Sequence, residues 1–118
     1  MPNFLLVYRS QPYTAADVSP AQMEESMKRW TAWITEGFTN GWMVDPGDAL
    51  LPDGRKVDVN RAVTDGPFVE AKEVVGGYSV VTAPTYEQAV EYAKKCPHID
   101  DGGHIEVRQT AGLGPPKG

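Results

Sequence analysis

Residues 76–90 read Gly76-Gly77-Tyr78-Ser79-Val80-Val81-Thr82-Ala83-Pro84-Thr85-Tyr86-Glu87-Gln88-Ala89-Val90. Within this stretch the apolar pattern changes period. Tyr78 to Thr82 is a β-branched and aromatic run of strand type, and Tyr86, Ala89, Val90 and Ala93 then recur at helical spacing. Thr85 followed by Gln88 is a capping-box pattern that starts the helix, and Pro97 stops it just after Cys96. Beyond a loop rich in Asp and Gly from His98 to Gly103, His104 to Thr110 alternates, with Ile105 and Val107 on one face and Glu106, Arg108 and Thr110 on the other. The second half of the chain is therefore strand, helix, strand.

The first half has the same rhythm. Phe4-Leu5-Leu6-Val7-Tyr8 is a short apolar run expected to be a central strand buried on both faces. Ser10 to Val18 reads as a loop. Ser19 is a good N-cap and Pro20 suits the first helical position, while Met23, Met27, Trp30 and Ile34 form an apolar stripe that Trp33 and Phe38 widen. The helix is expected to end between Gly37 and Gly41. Trp42-Met43-Val44 opens another strand, which Asp45-Pro46-Gly47-Asp48 is expected to interrupt as a turn before Ala49-Leu50-Leu51 resumes. Pro52-Asp53-Gly54-Arg55 is a hairpin signal, Lys56 to Val59 and Arg61 to Thr64 alternate, and Asp65-Gly66-Pro67 is a second turn. Two helices on one face of an antiparallel sheet predict an α+β ferredoxin-like βαββαβ sandwich with an extra hairpin. The other sheet face, apolar in the middle of its strands, is expected to meet a second copy. The expected domain spans residues 3–110, with 111–118 as a loose tail.

Composition narrows the function classes. The 118 residues carry 11 Lys and Arg against 16 Asp and Glu, a net charge of -5, so a nucleic-acid partner is not expected. The longest purely apolar run, Phe4 to Val7, is far short of a membrane span, and no secretory signal is expected. One cysteine, Cys96, rules out an internal disulfide, and the cytoplasm is the expected compartment. Two histidines without ligand spacing give no reason to expect a metal, and no cofactor motif is present.

The stretch Val63-Thr64-Asp65-Gly66-Pro67-Phe68-Val69-Glu70-Ala71-Lys72-Glu73, continued by Gly76-Gly77-Tyr78 and closed by Glu106-Val107-Arg108, resembles the signature of the YCII-related, or DGPF-domain, family. The resemblance implies a dimeric α+β barrel, in which two subunits face each other across their sheets, with a pocket between sheet, helix and loops. It implies no settled activity. The related YciI-like branch carries a histidine in its first helix, paired with an aspartate as a proposed catalytic dyad. Here that helix reads Gln22-Met23-Glu24-Glu25-Ser26-Met27 and contains no histidine, so the dyad does not carry over.

Each candidate site residue has two readings. Asp65 is either a catalytic base in a pocket or the acceptor of its own Asp-Gly-Pro turn. Glu70, Lys72 and Glu73 are either a ligand-orienting charged set or a solvated hairpin. Arg61 or Lys72 could clamp an anion. His104 faces away from the core and could exchange protons near neutral pH. Cys96 reads as a structural thiol, and Trp30, Trp33 and Trp42 as packing residues. Gly76-Gly77 and Gly102-Gly103 read as a strand bulge and a turn. Three functions stay open: binding of a small organic molecule, cofactor-independent lyase or isomerase chemistry on a small organic acid with Asp65 as base, and a regulatory partner role.

Overall fold

A computed structural model describes residues 1–11, 19–51, 53–65 and 74–113. Among the described residues six strands and three helices follow in the order β1 (Asn3–Ser10), α1 (Pro20–Thr39), β2 (Met43–Ala49), β3 (Arg55–Val57), β4 (Val63–Asp65), β5 (Val74–Thr82), α2 (Tyr86–Lys94), α3 (Pro97–Asp100) and β6 (His104–Gln109). The main sheet is antiparallel in the order β2-β5-β1-β6, and among the described residues β3 pairs only with β4. With that hairpin set aside, two split βαβ units interleave. This is the ferredoxin-like α+β sandwich with an extra hairpin that the periodicity predicts.

The strands alternate as half-buried strands must. Phe4, Leu6 and Tyr8 of β1 are buried against the helices, as are Ser79 and Val81 of β5 and the following Ala83. Leu5, Val7 and Val80 on the opposite face are only half-buried. The expectation that β1 is buried on both faces is thus corrected: the helices cover one face alone.

Helix α1 starts with a full capping box. Ser19 Oγ accepts from Gln22 N at 3.1 Å, and Ser19 N donates to Gln22 Oε1 at 2.8 Å. At Thr85 the side chain accepts from Gln88 N, the N-terminal half of the predicted box. The buried face of α1 differs from the expected stripe. Trp33 and Gly37 are buried and Trp30 and Ile34 pack at the margin, whereas Met23, Met27 and Phe38 are exposed. An aromatic chain welds this face to α2: Tyr8, Trp30, Trp33 and Trp42 contact in succession, and Trp42 stacks on Tyr92 at 4.3 Å. Trp33 Nε1 donates to the Tyr92 carbonyl at 3.1 Å, so its buried N–H is satisfied.

Strand β2 is a second correction. Asp45-Pro46-Gly47-Asp48 does not break it. The strand runs through to Ala49 by means of two irregularities, pairing Met43 with Val81, Asp45 with Val80 and Asp48 with Tyr78. Proline is tolerated because β2 is an edge strand whose outer amides need no ladder partner. The expected Pro52-Asp53-Gly54-Arg55 turn is not the turn of the β3–β4 hairpin, and Pro52 lies outside the described residues. Asp58 makes the turn instead: its Oδ1 accepts from Asn60 N and Ala62 N, and Arg61 takes a positive φ of 65°. The bulge predicted at Gly76-Gly77 is present, since Tyr8 pairs with Gly77 and the next residue, Arg9, with Val75. Pro97 ends α2, as expected, and also opens the short helix α3.

Candidate functional site

The ladder positions bring the polar side chains of the uncovered face together. Arg9 lies opposite His104, Val7 opposite Glu106 and Leu5 opposite Arg108. On the other side of β1, Val7 lies opposite Tyr78 and Leu5 opposite Val80. The face therefore has an apolar middle of Leu5, Val7, Tyr78 and Val80. It is flanked by Arg9 at the end of β1, by Glu106 and Arg108 along β6, and by the exposed Asp45 and Asp48 along β2.

Glu106 is shared between two cations. Arg108 Nη1 donates to its Oε2 at 3.0 Å, and Arg9 Nε lies 3.3 Å from its Oε1. Arg108 foremost, with Arg9 behind it, holds the Glu106 carboxyl below the usual carboxylate range. Arg9 Nε is itself buried and makes no hydrogen bond of good geometry, although the side chain as a whole is 37% exposed. Two guanidinium charges thus meet one carboxylate, which leaves a cationic excess on an otherwise acidic protein.

The helix side of the same strand end holds a buried polar chain. Tyr8 Oη donates to Ser79 Oγ at 2.6 Å, and Ser79 Oγ donates to the Pro46 carbonyl at 2.7 Å. A carbonyl can only accept, so it fixes the direction of both bonds. Cys96 is fully buried in the same core. Burial pushes the Cys96 thiol up to about 11 and the Tyr8 phenol well above its ordinary value. Both groups stay protonated, and the phenol keeps the proton it donates to Ser79. His98 stands against the Tyr8 ring, and its Nε2 lies 2.9 Å from the Arg9 carbonyl. Nε2 therefore carries the hydrogen. Helix α3, which bears His98, is tied to α1 by Arg29, whose Nη2 is 2.8 Å from Asp101 Oδ1, and by Ser26.

The folded thiol keeps its proton to a higher pH than the unfolded chain does. Stability from Cys96 is thus complete below the unfolded value and is lost as pH rises through about 11. Ellman's reagent at mildly alkaline pH is expected to label native Cys96 at least ~100-fold more slowly than the urea-unfolded chain, because reaction must await opening of the core. Comparable labelling rates would contradict a buried thiol.

The sequence-predicted site residues are not gathered in one place. His104 is exposed on β6 beside Arg9, on the side away from the core as expected. Asp65 ends β4 in the separate hairpin, 84% exposed, with Arg55 Nε 3.1 Å from its Oδ1. Arg61 is exposed in the turn of that hairpin. Glu70, Lys72 and Glu73 lie outside the described residues. Sequence reasoning missed Arg9, Glu106 and Arg108 as a group, and missed Tyr8–Ser79. The alternation of β6 showed Glu106 and Arg108 on one face, but only the register of β1 brings Arg9 to them. Among the described residues no cluster of His, Cys, Asp or Glu could hold a metal ion, and no helix is long and apolar enough to cross a membrane.

A sheet layered on one side by helices, with an uncovered and part-charged second face, defines a ferredoxin-like α+β sandwich. The profile of the YCII-related domain matches residues 23–111, and the chain belongs to that family. The matched span begins inside α1, although the preceding β1 is hydrogen-bonded between β5 and β6 at the middle of the sheet. No curated protein matches the chain.

Proposed function

We propose that this chain is a homodimer whose uncovered sheet faces meet, and that the pair binds a small organic acid at the Arg9 end of the strands. The observation that carries this reading is the make-up of that face. Leu5, Val7, Tyr78 and Val80 form an apolar centre, and Arg9 and Arg108 share a single carboxylate beside it. An apolar strip between polar margins is the usual character of a subunit interface. The uncompensated guanidinium suits a carboxylate ligand, which arginine can hold with two parallel bonds.

Light scattering across micromolar concentrations is expected to give twice the 12.9 kDa chain mass. A constant monomer mass would sink the dimer. In a thermal-shift screen against carboxylic acids, a ligand at 100 times its dissociation constant should add about 2.7 kcal/mol of stability. Arg9→Gln is expected to abolish that shift, whereas His104→Gln tests whether the neighbouring histidine contributes. A shift that survives Arg9→Gln would move the ligand elsewhere.

A further inference from the structure

Among the described residues the β3–β4 hairpin pairs with nothing but itself, by three rungs: Arg55 with Asp65, Lys56 with Thr64 and Val57 with Val63. A two-stranded hairpin of this size is marginal in water unless it packs against something. One of its faces is built for packing. Val57 and Val63 sit opposite each other and are 64% and 61% exposed, and Val59 in the turn is 97% exposed. Arg55 and Asp65 close the same face with an ion pair.

The hairpin also carries one more cation than anion on an acidic chain. It carries Arg55, Lys56 and Arg61 against Asp58 and Asp65. Asp58 is engaged by its own turn and Asp65 by Arg55. Arg61, projecting from the turn, makes no ion pair among the described residues. The counterpart lies on the uncovered sheet face. Beside Tyr78 and Val80, strand β2 exposes Asp45 and Asp48, whose carboxylates accept only from backbone amides of β2 among the described residues.

We propose that this hairpin is an arm that clasps a second copy of the chain. Val57, Val59 and Val63 cover the β2 margin of the second copy's sheet face, and Arg61 reaches its Asp45 and Asp48. The choice of a second copy rests on complementarity: one chain carries both an apolar, cationic projection and an apolar, acid-edged strip. A twofold axis joins each projection to the opposite strip, so every copy gives and receives one arm. This inference rests on the homodimer proposed above and specifies how it is locked.

Sedimentation of the full chain tests it. Val59→Asp and Arg61→Glu alter exposed side chains and should leave the circular dichroism spectrum unchanged. Each is expected to raise the dimer dissociation constant at least about tenfold, and Arg61→Glu is expected to be rescued by adding Asp45→Lys and Asp48→Lys to the same chain. A dimer of unchanged affinity in both single variants overturns the arm and leaves the sheet-to-sheet dimer standing. Weakening by Arg61→Glu without rescue overturns the placement of Arg61 against β2. A wild-type chain that stays monomeric overturns both the arm and the dimer, and leaves the valines to a different partner.

Discussion

Replacing Gly47 by alanine is expected to lower stability by about 3 kcal/mol or more, read as a large fall in the urea midpoint. Two costs add. Gly47 has φ +69°, where a side chain is strained by about 1–2 kcal/mol. A methyl group there would also overlap the backbone carbonyl of Tyr78, on the neighbouring strand β5. Backbone cannot rotate away as a flexible side chain can, so β2 must move off β5, at a further cost of about 1–3 kcal/mol. Gly41 separates the two terms. It has φ +78°, but nothing lies within 4 Å of an added methyl. Gly41→Ala should therefore show the conformational cost alone. Equal losses at the two positions would refute the close approach of β2 to β5.

The same strand shows why part of the fold was legible in the sequence and part was not. Asp45-Pro46-Gly47-Asp48 has turn composition, and turn propensity is local. What keeps it extended is tertiary: Met43, Asp45, Asp48 and Ala49 all pair with β5, and Ser79 holds the Pro46 carbonyl. Helix α1 failed differently. Its period was correct, but a helix rich in large residues offers overlapping stripes, and Met23 and Met27 read as core as well as Trp33 did. Tertiary packing selects between them: Trp33 meets Trp42 and donates to the Tyr92 carbonyl of α2, contacts no helical period can supply. Where local chemistry decides alone, sequence and structure agree. Ser19 and Thr85 cap, Pro97 ends α2, and Tyr8 and Arg9 flank the bulge at Gly76-Gly77. The Arg9–Glu106–Arg108 cluster was illegible because it depends on the pairing of the first strand with the last.

Ser79→Ala is expected to cost about 2–4 kcal/mol, clearly more than Tyr8→Phe at about 1 kcal/mol, although tyrosine is the larger residue and loses the more strongly directed donor. The reason is position in the chain of bonds. Ser79 is fully buried between two partners, accepting from Tyr8 Oη and donating to the Pro46 carbonyl. Removing its hydroxyl strands both: a phenol O–H with burial on all sides and a carbonyl in the distorted part of β2. Removing the Tyr8 hydroxyl leaves the Ser79–Pro46 bond intact and frees only a serine lone pair. Ring contacts of Tyr8 with Trp30 and His98 survive in phenylalanine. The double variant should cost less than the sum of the two, because once the serine is gone the phenol is a liability and its removal recovers part of the loss. Urea midpoints of the two single variants and the double variant decide it. Strict additivity, or a Tyr8→Phe loss exceeding that of Ser79→Ala, would mean that the hydroxyl chain does not run from Tyr8 through Ser79 to β2.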